Sequence, residues 1–281
     1  MKFVKPRKNS FWGCYFKQPG LAIIPSVSNL NGNWQAFIQV ITNEFAYTFE
    51  FTDFRFEKDK LIIADNAFSL DEINLNLHDD NYQINGTIQY NNHITPKKNT
   101  MGWYKYLPFL ECRHEIISMA NKVMGTVEIN EKTLSFNNDK GYIEADWGKS
   151  FPSKYLWFQC NEFPIDMSLS FAFATVPIFN IQTKGFLCFL HIGSKEYRFG
   201  TYNNSKIIDI SDSHFIIKKK NLILAASFKS ETKHILKAPI SGSMDREIHE
   251  SINGLCFVTL LVNNKKLFSA FGKNAGIEIE N

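Results

Sequence analysis

Hydrophobic residues along this chain recur at every second position far more often than at the helical spacing. In "FAYTFEF" (residues 45–51), four aromatic side chains share one side of an extended strand. The aromatic residues of "DFRF" (53–56) continue on the opposite parity, and this shift predicts a β-bulge or a tight bend. We therefore predict strands on both sides of Thr52.

Short runs of the same kind extend over the rest of the chain, separated by turn signals rich in Asn, Asp, Gly and Lys. The strand candidates are "AFIQVI", "LIIA", "INLNL", "YQINGTIQY", "HEIISMA", "GTVEI", "YLWFQCNEF", "SLSFAFATV", "GFLCFLHIG", "HFIIKK", "NLILAASF" and "LCFVTLLV". The turn signals are "NLNGNW", "EKDK", "HDDN", "NNDKG" and "VNNKK". Many short strands at this spacing predict a β-sandwich or a β-barrel.

Helix content should be low. The best helix candidate is "LECRHEIISMANKV" (110–123), but its β-branched residues and its cysteine make a strand equally plausible. A length of 281 residues without an internal repeat suggests two domains or one large β unit. The aromatic fraction of 15%, with 26 Phe, either fills two cores or lines an apolar cavity.

The charge balance excludes one broad class of partner. Thirty-one Lys and Arg against 28 Asp and Glu give a formal net charge of +3, too balanced for a nucleic acid as the main partner. The most apolar segment, "MSLSFAFATVPIFNIQT" (167–183), is broken by Pro177 and carries polar residues, so we expect no transmembrane segment. Peripheral contact with a membrane stays open.

The cysteines and the N-terminus bear on the compartment. Five scattered cysteines without a CxxC pair indicate reduced, mostly buried thiols and no metal centre. The opening "MKFVKPRKNSFWG" has basic residues but no apolar stretch like that of a secretory signal. We expect a cytoplasmic protein.

One stretch, "GYIEADWGKSFPSKYLWFQCNEF" (141–163), places acidic residues among large aromatic ones. It resembles the signature of the tocopherol cyclase-like family, in which Glu-x-Asp/Asn-Trp-Gly leads into Phe-Pro and an aromatic strand ending in Gln-x-Asn. Further blocks resemble the family in the same order and cover nearly the whole chain: "GCYFKQ", "AFIQVI", "MGWYKYLPFLECRHEIISM", "APISGSMDREIHES" and "NAGIEIE".

This resemblance implies an all-β, two-lobed, lipocalin-like fold (β-sandwich or β-barrel) with little helix. We expect an N-terminal β lobe over residues 1–150 and a C-terminal β lobe over 151–281, with a ligand cavity within or between them. The family's named activity closes the chromanol ring of tocopherols from a prenylated benzoquinol. This chain is shorter than the plant members and has Cys14 in place of an expected Trp and Asp146 in place of Asn. These departures affect the substrate more than the fold.

The acid that such chemistry needs has two candidates. Ring closure requires protonation of an alkene to a tertiary carbocation, which the quinol oxygen then captures. A carboxyl desolvated among apolar residues has a raised pKa and can hold that proton near neutral pH. Glu144 and Asp146 point to the same side of a strand and are the predicted catalytic residues. Alternatively, they cap the turn at Gly148 or pair with Lys149 and Lys154.

Aromatic and polar residues nearby are the predicted substrate contacts. Tyr15, Trp147 and Trp157 would stabilise a cation with their ring faces, although such residues are also typical of a core. On a strand, Trp147 faces away from Glu144 unless the chain turns at Gly148.

Four further residues complete the predicted binding set, each with a structural alternative. Gln159 and Asn161 share a strand face and would hydrogen-bond a head group. Lys17 either contacts the head group or pairs with a buried carboxylate, and His114 is either a contact or a satisfied core histidine. No metal and no cofactor is expected.

Two functions therefore remain open. The first is a cyclase acting on a prenylated quinol or another isoprenoid; the second is a non-catalytic binding protein for an amphiphilic lipid or isoprenoid. A hydrophobic small molecule is the partner in both. A proton donor should have its carboxyl inside the cavity and away from any cation. We also expect a structural ion pair between Arg246 and Glu250.

Overall fold

The computed structural model describes residues 3, 5–108, 110–178 and 181–281. The chain is 72% strand and 3% helix, which confirms the predicted all-β class. In the described residues, helix is confined to two short 3₁₀ turns, Gly102–Tyr106 and Thr201–Asn203. No helix there is long and apolar enough to cross a membrane.

The first half of the described chain forms an antiparallel sheet of eleven strands. Its strands are β1 (Ser10–Gln18), β2 (Leu21–Leu30), β3 (Asn33–Thr42), β4 (Ala46–Phe51), β5 (Phe54–Phe56), β6 (Leu61–Ile63), β7 (Asn66–Phe68), β8 (Glu72–His78), β9 (Gln83–Ile94), β10 (Cys112–Ile129) and β11 (Lys132–Gly148). Their spatial order is β4-β3-β2-β1-β11-β10-β9-β8-β7-β6-β5. Because only residues 52–53 join the two edge strands, the sheet curls into a nearly closed barrel. This connection is the tight bend that the parity shift predicts.

The second half forms a second antiparallel sheet. Its strands are β12 (Lys154–Cys160), β13 (Met167–Ile178), β14 (Ile181–Ile192), β15 (Lys195–Gly200), β16 (Lys206–Ser211), β17 (His214–Lys219), β18 (Leu222–Lys229), β19 (His234–Ile240), β20 (Ser243–Val262) and β21 (Lys265–Glu280). The order is β15-β14-β13-β12-β21-β20-β18-β17-β16, and β19 pairs with β20 beside this path. The lobe boundary predicted after residue 150 falls in the segment between β11 and β12.

Most of the predicted turns are hairpin turns in the structure. "NLNGNW" joins β2 to β3, where Asn31 (φ 55°) and Gly32 (φ 96°) both take positive φ. Two such residues give the turn whose twist matches the flanking strands. The turn predicted at "NNDKG" is wrong: these residues continue β11, and Asn138 (φ 58°) lies at a register shift against β10. That shift is a β-bulge, which uses the same turn-forming residue without reversing the chain.

Each sheet encloses its own apolar core, and a third apolar cluster lies between the two lobes. In the second core the rings of Phe171 and Phe215 stack with centroids 3.9 Å apart. Both are fully buried, so Phe215→Ala would cost about 3–5 kcal/mol through lost burial and the cavity left behind. The cluster between the lobes includes Tyr15 and Trp157, two of the predicted contact residues.

Candidate active site

Two cavities lie between the lobes. The larger, about 190 Å³, extends from β10 and β11 across to β12, β13 and β14, and its wall is mainly apolar, including Met101, Leu107, Phe151, Phe173, Val176 and Phe186. The smaller, about 70 Å³, lies between strands β1–β3 and strands β19 and β20. Five residues line both cavities: Glu144, Asp146, Phe151, Trp157 and Glu278. The two predicted acids therefore stand at the junction of the cavities.

Strand alternation positions these acids. Along β11, Ile143 and Ala145 point into the first core, so Glu144 and Asp146 point to the opposite face, where the second lobe covers them. Trp147 has the parity of the core residues and packs against the first core. Trp147 lines neither cavity, and this corrects the expectation that it stands beside the ligand.

Glu144 is held in a defined orientation. The residue is 5% exposed, and its Oε2 accepts hydrogen bonds from the Tyr142 hydroxyl at 2.5 Å and the Trp157 Nε1–H at 3.1 Å. Burial raises the pKa of Glu144 to about 7, against the lowering effect of His114. Because both donors contact Oε2, a proton on this carboxyl belongs on Oε1.

His114 is the neighbour of both predicted acids. Its Nδ1 lies 3.0 Å from Asp146 Oδ1, and its Nε2 lies 3.7 Å from Glu144 Oε2. Burial alone would lower the pKa of His114, but the carboxylates of Glu144 and Asp146 outweigh burial and raise it to about 9. His114 therefore lies in the cavity wall as a cation at neutral pH. The expectation that the proton donor lies away from any cation is not met for Glu144.

The same three side chains have the spacing of metal ligands. One donor atom each of His114, Glu144 and Asp146 lies within 4.8 Å of the others, the one such group among the described residues. Glu144 Oε2 already accepts two hydrogen bonds, and His114 Nδ1 already contacts Asp146. We interpret the group as an acid–base cluster.

Two buried acids of the second lobe, Glu250 and Glu278, line the cavities but are not among the residues predicted for the site. The Tyr15 hydroxyl donates to Glu250 Oε1 at 2.5 Å, and the Tyr155 hydroxyl donates to Glu278 Oε1. Burial raises the pKa of Glu250 to about 8, and burial also raises that of Glu278. The alternation in "GIEIE" (276–280) is the signal that could have pointed to Glu278, since it lies between residues of the second core.

The ion pair expected between Arg246 and Glu250 is wrong. Arg246 lies 3.6 Å from Glu280 and donates to the backbone carbonyls of Pro152 and Ser153. Glu250 instead contacts Tyr15 inside the protein.

Trp157 lies close to the backbone of the neighbouring strand. A Cβ atom at Gly276 would come within 2.7 Å of the Trp157 ring, so only glycine leaves room for the indole there. The Tyr15 ring meets Trp157 edge-on, with centroids 5.4 Å apart. This packing holds the indole N–H on Glu144 and presents the ring to both cavities.

The remaining predicted contacts form a buried polar layer outside the cavities. Lys17 Nζ donates to the Asn274 carbonyl at 2.5 Å, and burial lowers the pKa of this amine. Asn161 Nδ2 donates to the Gly141 carbonyl at 2.7 Å. Gln159 is fully buried, without a hydrogen-bond partner for its amide among the described residues. None of Lys17, Gln159 and Asn161 lines either cavity.

Similarity to solved structures supports the fold. The chain aligns with kievitone hydratase from Nectria haematococca with a TM-score of 0.56 and 13% identity, over 97% of this chain and 89% of the hydratase. It aligns with CghA, crystallised with Sch210972, with a TM-score of 0.59 and 9% identity, over 96% and 88% of the two chains. A putative AttH from Nitrosomonas europaea aligns with a TM-score of 0.53 and 7% identity, over 97% of this chain and 92% of that protein. The two-lobed lipocalin-like architecture is therefore confirmed.

Sequence comparison gives the family. A tocopherol cyclase of Zea mays, described as chloroplastic, is 36% identical over 66 residues, which are 24% of this chain and 14% of the relative. A probable tocopherol cyclase of Oryza sativa subsp. japonica, also described as chloroplastic, is 37% identical over 71 residues, which are 25% of this chain and 15% of the relative. The matched stretches thus span less than a sixth of either curated relative. The model of the family described as "Tocopherol cyclase-like" matches residues 36–280, and the chain therefore belongs to this family.

Proposed function

We propose that this protein is an intramolecular cyclase that protonates an alkene of a prenylated quinol, or of a related isoprenoid, and closes a ring. The observation that carries the proposal is Glu144. Its buried carboxyl lines both cavities, has a pKa of about 7 and is anchored through one oxygen only. Family membership supports the reaction class.

Glu144 is a better proton donor than His114. With a pKa of about 7, it is half protonated at neutral pH and gives up its proton more readily than His114, whose pKa is about 9. Tyr142 and Trp157 both contact Oε2, which leaves Oε1 as the oxygen that carries the proton.

The surroundings stabilise the cation that forms. A carboxyl of this pKa is a weak acid toward an alkene, so the site has to lower the energy of the carbocation. After proton transfer, Glu144 is an anion at the junction, beside Asp146. The rings of Trp157 and Phe151 line both cavities, and a cation over a desolvated aromatic face gains about 2 kcal/mol.

The reaction balances without an oxidant or a reductant. The Glu144 proton forms a C–H bond as the alkene π bond breaks, and the quinol oxygen forms the C–O bond with the resulting cation. The quinol proton passes to the Asp146 carboxylate, 3.0 Å from His114 Nδ1, and returns to Glu144 through His114, whose Nε2 lies 3.7 Å from Glu144 Oε2. The product is an isomer of the substrate.

Glu144→Gln is the direct test. The amide keeps an oxygen for Tyr142 and Trp157 but has no acidic proton, so turnover of a prenylated quinol should fall by about 10²–10⁴-fold. Ligand retention, measured by native mass spectrometry, should persist. Glu162→Gln is the matched control, because Glu162 is largely buried but lines neither cavity. Full turnover in Glu144→Gln would end the proposal.

The same experiment tests the second candidate function, a non-catalytic binder. The mainly apolar wall of the large cavity favours an oily ligand in either case. A pure binder would retain the ligand in wild type and Glu144→Gln alike and convert it in neither.

We further propose that the helix Gly102–Tyr106 contacts a lipid surface from which the ligand enters. Tyr104 lines the large cavity, while Trp103 and Tyr106 are 53% and 74% exposed on the outside. Lys105 lies over the Tyr106 ring at 4.8 Å from its centroid. Exposed Trp and Tyr beside Lys are typical of segments that lie at a bilayer interface.

A further inference from the structure

The small cavity differs from the large one in size, and its wall is likewise mainly apolar with a few polar groups. It holds about 70 Å³, room for several water-sized groups and hence for a single ring rather than a long chain. Tyr15, Ser26, Gln39 and Glu250 contribute polar groups to its wall. The Gln39 amide exchanges hydrogen bonds of 3.0 and 2.8 Å with the backbone of Lys237, so this wall is rigid. The cavity is therefore a formed pocket with polar groups.

Its position relative to the proton donor is the second observation. Glu144 and Trp157 line the small cavity as well as the large one, so the donor stands where the small cavity meets the large one. A molecule with a polar ring and an apolar tail would have its ring–tail junction at Glu144.

The chemistry of ring closure requires this arrangement. In a prenylated quinol the reacting alkene is separated from the ring by one methylene group. A six-membered ring forms when the alkene carbon nearer the quinol takes the proton and the next carbon takes the oxygen. The acid must therefore lie at the junction of ring and tail.

We infer that the small cavity is the head-group subsite, where a neutral phenol or quinol ring hydrogen-bonds the Glu250 carboxyl while its prenyl tail lies in the large cavity. Tyr15 donates to Oε1 of Glu250, which leaves Oε2 for the ligand hydroxyl. This inference rests on the proposed function and names the two ends of its substrate.

The acidic lining of the small cavity favours an uncharged ring. Glu144, Asp146, Glu250 and Glu278 all line it. Lys237 is the cation of its wall within the described chain, and its Nζ already lies 2.7 Å from a carboxylate oxygen of Glu50. A carboxylate or phosphate on the ring would lose its hydration there without a free cation among the described lining residues.

Binding of small probes tests the inference without turnover. The probes are trimethylhydroquinone (ring only), 2,5-dihydroxybenzoate (a ring with a carboxylate) and farnesol (tail only), measured by NMR titration. Trimethylhydroquinone should bind wild type, and 2,5-dihydroxybenzoate should bind at least about tenfold more weakly, the factor for one unpaired buried charge or hydrogen bond. Equal binding of the two rings would overturn the inference.

Variants then assign each probe to a cavity. Glu250→Leu should weaken trimethylhydroquinone at least about tenfold and leave farnesol unchanged. Ala174→Leu, which fills part of the large cavity, should weaken farnesol and leave trimethylhydroquinone unchanged. Glu250→Gln, which keeps a polar group, should retain most of the ring affinity, and Tyr15→Phe is the second probe if Glu250→Leu does not fold. If Ala174→Leu weakens both probes and Glu250→Leu neither, both bind in the large cavity and the inference fails.

This outcome is separable from that of the proposed function. If the ring binds through Glu250 but no substrate is cyclised, the subsite stands and the cyclase proposal falls. If turnover depends on Glu144 but the ring probe ignores Glu250, the cyclase stands and the subsite falls.

Discussion

Tyr142→Phe offers a sharp test of Glu144 as the proton donor. The Tyr142 hydroxyl donates to Glu144 at 2.5 Å, and Tyr142 lines neither cavity. Phenylalanine therefore removes one hydrogen bond to the carboxylate and leaves the cavity walls unchanged.

The size of the effect follows from that hydrogen bond. A hydrogen bond to a charged group contributes about 1.5–3 kcal/mol, and one pKa unit is about 1.4 kcal/mol. The Tyr142 hydrogen bond lowers the pKa of Glu144. Its loss should raise this pKa by about 1–2 units above its value of about 7.

The assay is the pH profile of turnover, followed as chromanol formed from a prenylated quinol. A donor must be protonated, so turnover is present below its pKa and lost above it. The alkaline half-point should therefore move upward by about 1–2 pH units in Tyr142→Phe.

Tyr90→Phe is the matched control. Tyr90 is also a buried tyrosine, but its hydroxyl donates to Gln18 at 3.0 Å and it lies in the first core. The Tyr142 hydroxyl has Ser170 Oγ, at 3.2 Å, as a second side-chain partner. Both variants should lose about 1 kcal/mol of stability, while the control profile stays in place. A half-point that does not move in Tyr142→Phe, moves downward, or moves equally in the control would refute the role of Glu144.

Three further predictions concern stability, metals and membranes. The folded-state pKa of Glu250 is raised to about 8, so its contribution to stability is present below its unfolded pKa and lost as pH rises through 8. Urea unfolding should show a shallower loss of stability with rising pH in Glu250→Gln, and an unchanged slope would contradict this. EDTA should leave turnover unchanged, whereas a loss restored by a divalent cation would make the His114 cluster a metal site. Replacement of Trp103 and Tyr106 by Ser should reduce co-sedimentation with anionic vesicles, while Phe257→Ser, an exposed aromatic on the other lobe, should not.

Much of the fold could be predicted from the sequence because strand structure is local. Alternation predicted most of the strands, and turn signals such as "NLNGNW" predicted hairpins. The segment 110–123 is ambiguous because its β-branched residues and its cysteine suit a strand as well as a helix, and in the structure most of it lies in β10. "NNDKG" was read as a turn because positive φ suits both a turn and a bulge, and only pairing with β10 distinguishes them.

The candidate site was predictable only in part. Alternation placed Glu144 and Asp146 on one face of a strand, and the same alternation assigns Trp147 to the other. His114 had no visible partner in the sequence, since Asp146 becomes its neighbour through the register of β10 against β11. The sequence predicts a structural ion pair of Glu250 with Arg246, and only the fold places Glu250 beside Tyr15.

The sequence by itself determined the all-β class, most of the turns, and which side chains share a strand face, because each depends on residues close together along the chain. Only the tertiary structure decided which of those faces is covered by the other lobe. Burial between the lobes excludes water from Glu144, Glu250 and Glu278 and raises their pKa values. Desolvation of a carboxyl depends on atoms brought together from distant parts of the chain, and no local pattern records it.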